Sequence, residues 1–294
     1  MTTDYEQKLA GEAALWGAEA ETRAQEVPPD WRYHRHLRHN IIYHTADIDA
    51  FLAHVQPGMT ALELGCGAGW LTLAMAQRGA NATGLDISAQ ALDVARDYAA
   101  SVGDSLSGSV TYEVADLNRL QLPPEHYDVI TVRGTLHHLL RLDHVVEQMY
   151  IALKPGGLLW VSDSDGEEAT ATVLVASALM FLLPTAINYR DKISGLIRFG
   201  TRAPSRIKAS IEAEGLSPFE GAGRDHDWVQ MIHQRFTVEQ RVDAPAVTGY
   251  ITHQLKLPDW AALPLLRALC WLDRGLVRFR LLRNTGIILY VRKA

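Results

Sequence analysis

Residues 59–70 read Met59-Thr60-Ala61-Leu62-Glu63-Leu64-Gly65-Cys66-Gly67-Ala68-Gly69-Trp70. An apolar run ends in Gly-x-Gly-x-Gly, and the helix-like WLTLAMAQRG starts at once. This is a strand, a glycine loop and a helix in direct succession. The glycines let the chain turn tightly and bring its backbone close to a ligand. The next helix offers unpaired N–H groups and the positive end of its dipole. Loops of the form G-x-G-x-x-G bind dinucleotides. Here the third glycine comes one residue too early, and an acid, Glu63, stands two positions before the first. The loop at Gly65 and Gly67 is expected to leave no room for side chains.

Downstream, the same alternation repeats. NATGLDIS is a second strand, and Ser88 is a good N-cap for the helix SAQALDVARDYAASVG, which closes on Gly103. VTYEVAD and YDVITVRG are strands three and four, the latter preceded by Pro123-Pro124. The helix DHVVEQMYIAL meets a turn at Lys154-Pro155-Gly156-Gly157, and LLWVSD is a fifth strand. Such spacing implies βαβ units and a parallel sheet covered on both faces. Later, SRIKASIEAEG and HDWVQMIHQRF read as helices, FTVEQRV as a strand and GIILYVRK as a last strand returning to the same sheet. Upstream, 1–25 reads as a polar helix and 46–56 as a short helix ending at Pro57-Gly58. The expected organisation is an N-terminal helical lid at 1–56, a core at 57–165, and cap inserts with the last two strands at 166–294.

Two further acids end strands. Asp86 closes the second, where a carboxylate can accept both ribose hydroxyls. Asp116 closes the third, in Val-Ala-Asp-Leu, and its carboxylate could receive an adenine amino group. The ordered series ELGCGAG, GLDIS, VADL, YDVITVRGTLHHL and LKPGGLLWVSD, spanning 58–163, resembles motifs I to V of class I S-adenosylmethionine (SAM) dependent methyltransferases. The resemblance implies an α/β, Rossmann-like sheet of seven mostly parallel strands, the last antiparallel, with helical cap or lid inserts. It implies SAM as cofactor and S-adenosylhomocysteine as product. It also implies cofactor-binding roles. Glu63, Gly65, Cys66 and Gly67 would neighbour the methionine part of SAM. Asp86 would hold the ribose, Ile87 would pack on the adenine, and Asp116 and Leu117 would meet the adenine edge. Arg133 would line the methionine end. In similar enzymes the segment before the first motif folds over SAM, a role that falls here to Trp31 and Tyr33. Bacterial enzymes that modify sugars, glycolipids or secondary metabolites share this architecture.

Methyl transfer requires an aligned nucleophile, exclusion of water and, for a hydroxyl, loss of a proton. His137 or His138, beyond the fourth strand at the ligand-binding edge, is a candidate general base. The cluster Tyr33, His34, His36, His39, Tyr43 and His44 has spacings that match no standard metal set, and no metal is expected. Asp225-His226-Asp227 offers a base and orienter, or a helix cap. No Asn-Pro-Pro-Tyr or Asp-Pro-Pro-Tyr follows strand four.

With 294 residues and net charge −6, the chain is not expected to bind nucleic acid. Cys66 and Cys270 are too few for a disulfide framework, and the polar, acidic N-terminus is not a signal peptide, so a cytoplasmic setting is expected. Charge is uneven: Arg190–Ala294 holds 17 Lys+Arg and 10 Asp+Glu, net +7, against −13 for the rest. Residues 169–189 carry no charge, but strands on both sides belong to one sheet, which favours a buried or lid helix over a membrane span. In 263–283, Arg267, Arg274 and Arg278 share one helical face while Leu265, Leu269, Leu272 and Leu276 face away. The expectation is a methyltransferase for a small apolar or anionic acceptor, O-directed, with peripheral membrane contact open. A non-catalytic SAM-binding module and a protein or nucleic-acid methyltransferase are the alternatives. Neither the acceptor nor the oligomeric state is legible.

Overall fold

The computed structural model describes residues 2–26, 42, 45–103, 106–164, 170–185, 187–199, 218–219, 227–252 and 254–294. Seven strands form one sheet in the order β3-β2-β1-β4-β5-β7-β6. They are β1 (Thr60–Leu64), β2 (Asn81–Asp86), β3 (Ser109–Val114), β4 (Tyr127–Arg133), β5 (Leu153–Ser164), β6 (Thr237–Asp243) and β7 (Gly286–Arg292). β7 runs antiparallel to both β5 and β6, and every other pair is parallel. This is the α/β, Rossmann-like sheet expected. The strand order reverses at β1 and β4, so the crevice between their carboxyl ends is where such a sheet takes a ligand.

The central strands are buried on both faces, which is why they read as continuous apolar runs. With the two-residue period of a strand, Leu62, Leu64, Ile130, Val132, Leu159 and Val161 face one layer. That layer holds α5 (Leu142–Ala152) and α8 (Trp228–Arg235). Ala61, Val129, Leu158 and Trp160 face the other, which holds α2 (Thr45–Leu52) and α3 (Trp70–Gln77). Phe51 of α2 stacks on Trp160 with centroids 4.7 Å apart. α2 ends at Leu52, earlier than the sequence reading, because its last turn tightens into Phe51 and Leu52 carbonyl bonds from His54 and Val55. α4 (Ala89–Val102) is capped by Ser88 Oγ, which accepts from the Ala91 N–H, and closes on Gly103. The Lys154-Pro155-Gly156-Gly157 turn is not a separate connection. It lies inside β5 as an irregularity, between the pairs Tyr127–Leu153 and Val129–Leu158.

The cap differs from expectation in its details. α6 (Thr170–Leu182) takes up most of the uncharged segment but is not buried all round. Thr172, Ala176 and Ser177 are covered, while Leu174 and Leu182 are exposed. Among the described residues, no helix is long and apolar enough to cross a membrane. The segment stops at a buried cation. Lys192, on α7 (Tyr189–Phe199), donates to the Met180 and Leu183 carbonyls at 2.7 Å each and so caps the end of α6. α6, α9 (Thr248–Thr252) and α10 (Asp259–Arg278) share a second small core. The buried face of α10 is rotated from the one read in the sequence. Its most covered line runs Ala262, Leu266, Cys270, Asp273; Leu265, Leu269 and Leu276 pack partly buried against the same core, and Leu272 is exposed. Asp273 explains the rotation: its carboxylate accepts from the backbone N–H groups of Ala246, Val247 and Thr248 and from the Thr248 hydroxyl. A remote acid thus satisfies the orphan donors that open α9.

Candidate active site

β1 and β4 deliver their carboxyl ends to a cavity of about 290 Å³, at the lower edge of the roughly 300–1,000 Å³ of ligand clefts. Its walls include Glu63, Gly65, Cys66, Gly67, Asp86, Ile87, Asp116, Leu117, Arg133 and His138. The structure therefore gathers every described residue expected at the cofactor, drawn from four different strand ends. Tyr33, with the rest of the His-rich N-terminal cluster, lies outside the described residues, as do Trp31, Asp225 and His226.

The glycine loop departs from expectation at one position. Gly65 has φ +71°, and a Cβ there would meet the Thr135 side chain at 2.2 Å, so both conformation and packing demand glycine. Gly67 has φ +51°, but a Cβ there would meet nothing within 4 Å. The space beside Gly67 is open, on a wall of the cavity, rather than filled by protein.

Asp86 secures that loop. Its carboxylate accepts from Gly67 N–H at 2.8 Å and from Ser88 N–H at 2.9 Å. Burial raises its pKa, and the two backbone donors oppose the shift. Glu63 points from β1 under α3, where the Thr72 hydroxyl donates to it. Burial pushes its pKa up to about 8, against the pull of the Thr72 bond and of Arg133. Arg133 itself lies 5.4 Å over the Trp70 ring.

The N-terminal helix that lies over the cavity is α1 (Thr2–Glu26). Sequence reading gave this helix no site residue, yet Leu9, Glu12, Trp16, Glu19 and Ala20 line the cavity. Their spacing of three and four was a signal: one face of a polar helix carried the residues to be covered. Glu12 is buried. It accepts from Trp16 Nε1 at 2.7 Å and from Phe219 N–H at 3.3 Å, and its Oε1 lies 3.3 Å from His138 Nδ1. Trp16 stands edge-on to His138, with centroids 5.5 Å apart. At the other end of the lid, Tyr5 donates to Asp116 at 2.7 Å while Arg119 pairs with Glu6 at 2.8 Å. Asp116 also accepts from Asn118 N–H, capping the single turn Leu117–Arg119.

The two histidines differ in their surroundings. His138 is buried against the lid, as above. His137 is half-buried, and its Nδ1 lies 2.6 Å from Asp163 Oδ1. Asp163, at the carboxyl end of β5, is buried and accepts three backbone donors besides: Thr135, Leu136 and Ser164. Four contacts fix that carboxylate, and through it the imidazole. Asp163 was not singled out from the sequence, because its nearness to His137 depends on the register of β4 beside β5. Asp227 is a helix cap, accepting from Gln230 N–H at 2.9 Å. No cluster of potential metal ligands occurs among the described residues.

Comparison with known proteins agrees with this geometry. Residues 62–161 match a methyltransferase domain family. A ubiquinone biosynthesis O-methyltransferase of Hydrogenovibrio crunogenus is 26% identical over 194 residues, covering 65% of this chain and 74% of that protein. The protein of the same description from Colwellia psychrerythraea is 29% identical over 179 residues, covering 60% and 68%. A geranyl diphosphate C-methyltransferase of Streptomyces coelicolor A3(2), solved with S-adenosyl-L-homocysteine, is alike in fold. Its TM-score is 0.53 at 13% identity, with 85% of this chain and 77% of that one covered.

Proposed function

Because this chain is a class I SAM-dependent methyltransferase, we propose that it methylates a hydroxyl oxygen of a small acceptor, with His137 as general base and Asp163 as the group that orients it. The observation that carries the reading is the 2.6 Å contact between His137 Nδ1 and the buried Asp163 carboxylate at the ligand-binding edge of the sheet. The two relatives described as ubiquinone biosynthesis O-methyltransferases support a hydroxyl as the acceptor group.

The cofactor is SAM. The cavity suits it, since Glu12, Glu19, Glu63, Asp86 and Asp116 line the walls against one arginine, Arg133. A predominantly acidic wall favours a ligand with a sulfonium and an ammonium. The open space beside Gly67 admits close backbone approach. In this reading Asp86 holds the ribose and Ile87 packs on the adenine. Leu117 and Asp116 meet the adenine edge, the latter shared with Tyr5. Glu63, Gly65, Cys66 and Arg133 flank the methionine end. When bound, SAM supplies an electrophilic methyl on a sulfonium that is already a good leaving group.

The protein's own part is positioning, dryness and one proton. Donation from Nδ1 to Asp163 leaves the imidazole lone pair on Nε2, the tautomer that accepts a proton. Nε2 takes the acceptor's hydroxyl proton as the oxygen becomes nucleophilic, and Asp163 faces the imidazolium that results. His138, held by Glu12 and Trp16, fastens the lid over the cavity and excludes water. The acceptor is a small apolar or anionic molecule, met in the cytoplasm or at a membrane surface.

The test is turnover on a panel of phenols, catechols and sugars, with products located by mass spectrometry. His137→Gln should lower kcat/KM by about 10²–10⁴-fold while the SAM Kd stays unchanged. Full activity in that variant, or methylation only at nitrogen or carbon, would end the reading.

A further inference from the structure

The exposed face of α10 is not the simple arginine face expected of a solvated helix. Trp260 is 80% exposed, Trp271 75% and Phe279 75%. Trp260, Arg267, Trp271 and Arg278 follow one another at spacings of 7, 4 and 7, so at 100° per residue they fall within an arc of about 40°. The opposite side, Ala262, Leu266, Cys270 and Asp273, is packed into the cap. A stripe of alternating tryptophan and arginine thus runs along a 20-residue helix, about 30 Å. Arg280 adds a further exposed charge just beyond its end. Among the described residues, Arg267, Arg278 and Arg280 enter no ion pair.

We propose that this face docks on an anionic lipid surface. Exposing three large aromatic rings in water is unfavourable without a partner. Tryptophan beside arginine is the combination that suits a membrane interface, with rings at headgroup depth and guanidinium groups on lipid phosphates. The charge agrees. The stripe lies in the +7 stretch of a chain that is otherwise −13, so an acidic surface favours this segment over the rest of the chain.

The docking face also stands near the chemistry. Gly286, which opens β7, pairs with Ser164 at the end of β5, next to Asp163. Five residues lie between it and Arg280, so Arg280 lies within about 20 Å of that edge. A docked enzyme could draw an apolar acceptor from the lipid. That last consequence rests on the O-methylation reading, whereas docking does not.

The test is sedimentation of the full chain with vesicles of phosphatidylcholine alone and of equal parts phosphatidylcholine and phosphatidylglycerol. The wild type should associate with the anionic vesicles, and less so as salt rises. R267Q/R278Q/R280Q should lower that partition about a hundredfold. W260S/W271S should lower it about tenfold or more. Unchanged thermal unfolding and S-adenosylhomocysteine binding would show that both variants are folded. The proposal is overturned if the wild type ignores anionic vesicles, if it binds neutral ones equally well, or if the variants bind like the wild type. It is also overturned if the tryptophan pair controls dimerisation in ultracentrifugation without vesicle binding. Vesicle binding without methylation would refute O-methylation and leave docking intact; methylation of soluble acceptors without vesicle binding would do the reverse.

Discussion

Glu63 offers the sharpest test of the site's electrostatics. Its carboxyl is buried beneath α3, and its pKa rises from 4.5 to about 8. Between those values the folded chain holds a proton that the unfolded chain has lost. Unfolding then releases a proton, so stability falls as pH rises through this window and levels off above about 8. Each pH unit costs about 1.4 kcal/mol, and the whole window costs on the order of 5 kcal/mol. Glu63→Gln keeps an oxygen for the Thr72 hydroxyl and removes the titration. In urea unfolding at about pH 5.5 and about pH 8.5, the two proteins should be of similar stability at the lower pH. At the higher pH the variant should be the more stable by at least about 2 kcal/mol. The comparison cancels every other group, since only residue 63 differs. Parallel pH profiles would refute the argument that burial dominates this carboxyl. With cofactor the sign reverses in meaning: a cation beside Glu63 favours its ionised form, so SAM affinity should climb with pH towards about 8 in the wild type and stay flat in the variant.

Other outcomes follow from single contacts. Asp86→Ala should weaken SAM binding by about 2 kcal/mol or more, because it removes the proposed ribose acceptor and frees the Gly67 N–H; unchanged affinity by calorimetry would place the cofactor elsewhere. Gly65→Ala should lower Tm, since its Cβ meets Thr135 at 2.2 Å, whereas Gly67→Ala, with nothing within 4 Å, should lose SAM affinity more than stability. Equal losses of Tm in the two variants would contradict that division. Activity should survive prolonged treatment with EDTA. If chelation abolishes turnover and a divalent ion restores it, the proton-transfer chemistry assigned to His137 is wrong.

The sheet was legible because its signals are local. Apolar runs closed by glycine, Ser88 as a cap and the periodic helices each follow from backbone preference and burial within about ten residues. The wall of the cavity was legible for the same reason: Gly65, Asp86, Asp116 and Arg133 each sit at or just beyond a strand end, and parallel strands bring those ends together. What remained hidden depends on contacts between residues far apart in the chain. The His137–Asp163 pair exists because β4 lies beside β5 in one register. Glu12 became a site residue because α1 lies across the cavity and meets His138. Asp273 turned the buried face of α10, leaving Leu272 and Trp271 outside, because it answers three backbone donors more than twenty residues away. Periodicity shows that a helix has two faces. Which face is covered is set by the energy of satisfying buried polar groups, and that is decided only when the elements pack.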